Sequence, residues 1–184
     1  TDMKAANKPD ALKELTYLLF ENKKMKDPGP ALAQIMAREV TESTGIGRGI
    51  AVPHARIPGM KGLACALGRI QDGLDFTAVD RKPVHLIFLI CYPPTDQTIY
   101  LNFVATIAKL LSDPEHLRGI MAAKTAEQML KLDQAIDYLK SSPSATSILQ
   151  TAANNPNLFL VFNDEQKVGQ VHAAGKDFIE WDPA

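Results

Sequence analysis

A histidine at position 54 stands between two arginines, Arg48 and Arg56, and follows three glycines at alternate positions, Gly45, Gly47 and Gly49. An imidazole is partly unprotonated near neutral pH and can act as a nucleophile. Guanidinium groups and accessible backbone amides can hold the three anionic oxygens of a phosphoryl group. Glycine tolerates positive φ and lets a ligand approach the backbone. Pro53 fixes one backbone angle immediately before the histidine. Transient capture of a phosphoryl group on His54 is the chemistry these residue types could perform. Thr44 could donate its hydroxyl or amide to phosphoryl oxygens, and Glu39 is a carboxylate shortly before the glycine stretch. Each also has a plainer reading: a histidine packing at a loop end, solvated arginines, a turn threonine satisfying its own backbone and a charge at a helix end.

The elements that must position these groups follow from periodicity. Asn7 can cap a helix over Pro9–Asn22, with Leu12, Leu15, Leu18 and Leu19 at helical spacing. A second helix fits Pro30–Val40 and leads through Arg38 and Glu39 into the glycine stretch. Leu63–Ile70 and Val84–Tyr92 read as strands, with a turn expected at Asp72-Gly73. The second run is almost wholly apolar, as in a central strand covered on both faces. Asp96 can cap a helix bearing Tyr100, Phe103, Val104, Ile107 and Leu111 on one stripe. Asp113-Pro114 starts a short helix, and Thr125–Gln128 is a capping box for another, to about Leu139. Residues Thr1–Lys4 read as the end of a strand. Beyond Pro143, Leu158–Phe162 is a short strand, and Val168–Val171 pairs back as a hairpin. Strands alternating with helices indicate an α/β sandwich with a central sheet. Residues 1–140 form the main domain. Residues 141–184 are a β-rich extension that packs on the domain, extends its sheet or crosses to a second subunit.

Composition narrows the function. Of 184 residues, 46% are apolar and 22% charged, with a net charge of -1, and this balance argues against a nucleic-acid binder. No apolar run approaches a membrane span and no signal-peptide pattern opens the chain. Cys65 and Cys91 lie in apolar runs and read as buried thiols of a reducing compartment, consistent with the cytoplasm. No two histidines or cysteines have metal-ligand spacing, so no metal is expected. The glycine stretch lacks both the nucleotide P-loop ending and the dinucleotide spacing. Of the other histidines, His85 reads as a core residue, His116 as a surface residue, and His172 falls in the tail.

The stretch Ser43-Thr44-Gly45, Gly47, Gly49-Ile50 and Pro53-His54, with Glu39 before it and Asp75-Phe76, Asp80, Pro83-Val84 and Asp96-Gln97-Thr98 after it, resembles enzyme IIA domains. The family is the fructose–mannitol type of the bacterial sugar phosphotransferase system, and the nitrogen-regulatory subgroup is the nearest in pattern. The likeness fades near Leu139. It implies a three-layer sandwich, with a mixed central sheet and helices on both faces. It also implies a phosphohistidine at Nε2 of His54, with Arg56, Thr44 and Glu39 around it and Arg48, Gly47 and Gly49 in the phosphoryl-binding loop. The implied donor is the histidine-containing phosphocarrier protein, and the implied recipient a IIB domain or a regulatory target. No cofactor is needed, because phosphate arrives on a partner, and a homodimer is one arrangement open to the chain. One position departs from the pattern: Tyr100 stands where the family has a second histidine. Tyrosine can donate one hydrogen bond but is uncharged near pH 7. A second reading stays open for that reason: a non-phosphorylated interaction domain on the same fold, such as the cytoplasmic part of a transport protein.

Overall fold

A computed structural model describes residues 3–123 with their side chains, and the backbone of 159–162, 169–174 and 178–183. Two helices come first, α1 (Lys8–Glu21) and α2 (Pro28–Thr41). Each starts as its sequence dictates. Asn7 Oδ1 accepts from the Asp10 amide at 2.9 Å, and Asp27 Oδ1 from the Gly29 amide at 2.9 Å, with proline in each first turn. Three short strands follow, β1 (Gly45–Gly47), β2 (Ile50–Ala51) and β3 (His54–Arg56). Two long ones come next, β4 (Ala64–Leu74) and β5 (Val84–Tyr92). The helices α3 (Gln97–Ser112) and α4 (Pro114–Ala122) complete the part with described side chains. Further on, β6 (Phe159–Phe162), β7 (Gly169–Ala174) and β8 (Phe178–Pro183) form an antiparallel meander.

The sheet is mixed, in the order β1-β2-β5-β4-β6-β7-β8, with β3 also paired to β5. At its centre, β5 alternates between two apolar layers. Ile87, Leu89 and Cys91 face the layer beneath α1 and α2; Leu86, Phe88, Ile90 and Tyr92 face the layer beneath α3 and α4. That double burial explains why the strand is apolar at nearly every position. In the first layer Leu12, Leu15 and Leu19 are fully buried, and each stabilises the fold by about 2 kcal/mol. Arg69 reaches out of β4 and donates to the carbonyls of Ile120, Met121 and Ala123, capping the end of α4.

The α/β sandwich expected from the alternation of elements, with the helices on both faces that the family resemblance implies, is the one observed, and the tail extends the sheet through parallel pairing of β6 with β4. Several local expectations change. Asp72-Gly73 is not a turn. It lies within β4 at an irregularity of register between Arg69 and Leu74, and the chain reverses through 75–83, where Thr77 and Arg81 hold positive φ. Asp96 makes no side-chain cap, because a 3-10 turn over Pro94–Asp96 carries the chain into α3 instead. The expected first strand reduces, among the described residues, to one bond from the Met3 amide to the Arg69 carbonyl at 2.8 Å. The last strand, β8, adds to the two strands expected beyond Pro143. The helix from Thr125 lies outside the described residues.

Candidate functional site

The sheet places His54 by an interruption. Ile50 and Ala51 of β2 pair in parallel with Leu86 and Ile87, and after a gap His54, Ala55 and Arg56 of β3 pair with Ile90, Cys91 and Tyr92. Pro53 sits in the gap, where its missing N–H breaks the ladder. Its carbonyl still accepts from the Ile90 amide at 2.9 Å. The histidine is therefore delivered at the end of the central strand.

A chain of hydrogen bonds fixes the ring from behind. Glu39 on α2 is buried at 8% exposure. Its Oε1 accepts from the Thr44 amide and from Lys8 Nζ, each at 3.0 Å, and its Oε2 accepts from the Thr44 hydroxyl at 2.6 Å. Lys8 also donates to Thr77 Oγ1 at 2.7 Å and lies 4.7 Å from the centre of the Phe76 ring. The Thr44 carbonyl in turn accepts from the Val52 amide at 3.0 Å, and the Val52 carbonyl lies 3.1 Å from His54 Nδ1. A carbonyl can only accept, so Nδ1 carries the hydrogen and Nε2 keeps its lone pair.

Burial is the main cause that pushes His54 below the ordinary 6.5. The Arg38 and Arg56 charges push the same way, and the Val52 bond and the Glu39 charge oppose. The ring is thus neutral at pH 7. An NMR titration of His54 should give a midpoint below 6.5. Because the unfolded chain binds this proton more readily, the stabilisation is fully present above 6.5 and is lost as pH falls through the lowered folded value. The drop in urea midpoint between pH 7 and pH 5 should shrink in a His54→Ala protein; an equal drop in both would sink this assignment.

Around the ring stand two arginines and two tyrosines. Arg38 donates to the Glu42 carbonyl at 2.9 Å, and Arg56 Nε donates to the Tyr92 hydroxyl at 3.2 Å. Tyr92 stacks on Tyr100 with ring centres 4.4 Å apart, and Tyr100 lies 5.0 Å from the His54 ring. Burial, then the neighbouring Tyr92, raises Tyr100 above its usual range, so its hydroxyl keeps its proton. Tyr100 therefore stands beside His54.

The structure does not bring Gly47, Arg48 and Gly49 to this ring. These residues turn the chain between β1 and β2, all three at positive φ, and the Arg48 amide donates to Asp80 Oδ2 at 2.9 Å. The Gly49 carbonyl accepts from the amides of His85 and Leu86, at the opening of β5, whereas His54 pairs with Ile90. Four residues of extended strand separate those registers by roughly 13 Å. The Arg48 guanidinium reaches instead to the Ser112 carbonyl at 3.5 Å, at the end of α3. Both donors of Thr44 are spent on Glu39, so its place is behind the ring. Three site residues escaped the sequence reading. Arg38 was seen only as a polar helix residue, although it adjoins Glu39. Lys8 and Tyr92 carry no local signal, since their partners lie 31 and 36 residues away.

Residues 1–135 match the family model described as the phosphoenolpyruvate-dependent sugar phosphotransferase system, EIIA 2. The chain belongs to this family. The resemblance drawn from the glycine–histidine stretch is therefore borne out. As an EIIA chain it is 28% identical over 131 residues to the fructose-specific EIIABC component of the phosphotransferase system from Bacillus subtilis, covering 71% of this chain and 21% of that protein. It thus spans about a fifth of that relative. Nitrogen regulatory protein IIA-Ntr from Neisseria meningitidis shares its fold with a TM-score of 0.65 at 31% identity, over 69% of this chain and 86% of that one. The complex of enzyme IIAMtl with phosphorylated enzyme IIBMtl from Escherichia coli matches with a TM-score of 0.61 at 17% identity, over 71% and 90%, a likeness of fold alone. The meander β6–β8 lies beyond the matched EIIA region. Among the described residues no helix is long and apolar enough to cross a membrane, and no cluster of three or more histidine, cysteine or acidic side chains is placed to hold a metal ion.

Proposed function

We propose that the protein is a phosphoryl carrier whose acceptor atom is Nε2 of His54. The single observation behind this is the Nδ1 contact to the Val52 carbonyl, which leaves a lone pair at Nε2 on a ring kept neutral at pH 7. In the transfer, the Nε2–P bond forms as the P–N bond to the donor's phosphohistidine breaks, and Nδ1 keeps its proton on the Val52 carbonyl. Arg38 and Arg56 stabilise the charge on the transferring oxygens. Glu39 and Thr44 act through Val52 as positioning residues. The donor is the histidine-containing phosphocarrier protein of the cytoplasm. The recipient is a IIB domain, the kind of partner seen with the IIAMtl fold, or the phosphorylated state is itself a regulatory signal, as the likeness to IIA-Ntr favours.

The test is intact mass after incubation with enzyme I, the phosphocarrier and phosphoenolpyruvate. One added phosphoryl group, lost in acid, supports the carrier reading. An unchanged mass beside a working family control overturns it and leaves the interaction-domain reading, which the uncharged Tyr100 beside His54 favours. Two variants grade the site. Arg38→Gln should slow phosphoryl uptake roughly a hundredfold, the usual cost of one oriented donor at a developing charge. Tyr100→His should speed uptake roughly tenfold by supplying a second imidazole. Quench-flow rates check both.

A further inference from the structure

We propose that a cleft on the α1 side of the sheet binds a nucleotide di- or triphosphate, separately from the phosphoryl acceptor. The cleft has a volume of about 600 Å³, within the usual range of small-molecule sites. It lies between the turn after α1 and the 57–63 connection from β3 to β4. Its floor is apolar, made by Phe20, Met25 and Ala64, and Phe20 keeps 38% exposure. Its rim carries four ammonium groups, Lys23, Lys24, Lys26 and Lys61, against one carboxylate, Glu21. Among the described residues no acidic side chain pairs with Lys23, Lys26 or Lys61. On a chain of net charge -1 this is a local positive excess. A flat aromatic base on an exposed phenylalanine, with phosphates among the ammonium groups, satisfies both halves of the cleft.

The backbone beneath the lysines supports the inference independently. The Lys23 amide donates to the Phe20 carbonyl at 2.8 Å and the Lys24 amide to Leu19 at 2.9 Å. This is the helix-ending motif whose left-handed position is normally glycine. Here that position is Lys23, at φ 58. A side chain held in a conformation that disfavours it points to a task for the side chain. Burial also pushes the Lys24 ammonium below its usual pKa, and a seated anion would oppose that shift. The site is distinct from His54, which faces Tyr100 on the α3 side, while Ala55 and Ala64 face the α1 side. The 57–63 connection, which begins directly after β3, leads from one to the other.

The experiment is a 1H–15N shift titration of the full chain with ATP, pyrophosphate and adenosine. ATP should move the amides of residues 20–26 and 59–64 and bind more tightly than either part alone. Phe20→Ala should weaken ATP binding roughly tenfold and leave pyrophosphate unchanged. Lys23→Gly should raise the thermal midpoint, by relieving the left-handed backbone, yet weaken ATP binding roughly tenfold. His54→Ala should change nothing. The proposal is overturned by the absence of any shift, by shifts centred on His54, by equal affinity for ATP and pyrophosphate, or by wild-type ATP affinity in Lys23→Gly.

Discussion

A His54→Ala protein is expected to take up no phosphoryl group under conditions that fully charge the wild type. The other histidines with described side chains offer no substitute. His85 Nδ1 sits 3.1 and 3.2 Å from the carbonyls of Ile70 and Gln71, and its ring is hemmed in by the backbone at Gly49 and Gly73. His116 lies on α4, 3.6 Å from Asp113. The loss should be complete, since removing a covalent nucleophile eliminates the intermediate itself. Folding should be nearly unaffected, because His54 is only half-buried and makes one hydrogen bond. Intact mass and far-UV circular dichroism on one sample separate the two effects. A phosphoryl group retained by the folded variant would place the acceptor elsewhere.

Glu39→Ala should be the most destabilising single change at the site, by about 3–4 kcal/mol. The substitution strands the buried Thr44 amide and hydroxyl and leaves Lys8 without its carboxylate. Most of the cost belongs to Thr44, which is buried, because the Lys8 ammonium at 19% exposure can turn to water. Glu39→Gln should cost about half as much, since an amide oxygen still accepts one Thr44 donor. Both variants also remove a negative charge that raises the His54 pKa. The His54 midpoint should therefore fall further, a change that a purely structural role would not produce. Urea unfolding and an NMR titration measure the two consequences. A stability loss below about 1 kcal/mol for Glu39→Ala would contradict the arrangement.

Much of this protein was legible in its residues because the causes are local. The leucine spacing of α1, the Asp113-Pro114 start of α4 and the unbroken apolar run of β5 each state their own element. The ordered matches from Glu39 to Asp96 announce the family in the same way. The misreadings came where distant contacts decide. Asp72-Gly73 has turn chemistry, yet β4 runs through it because Leu74 still pairs with Val84. Glycines at alternate positions resemble a phosphate cradle, but pairing with the opening of β5 carries Gly47 and Gly49 away from the ring. The sequence by itself determined the main helices, the two long strands and the family to which the chain belongs. Only the tertiary structure decided that Glu39 holds Thr44 instead of the ring, that Arg38 joins Arg56 at the histidine and that Arg48 does not. Those assignments depend on how strands register and helices pack, which leaves no periodic trace in the sequence.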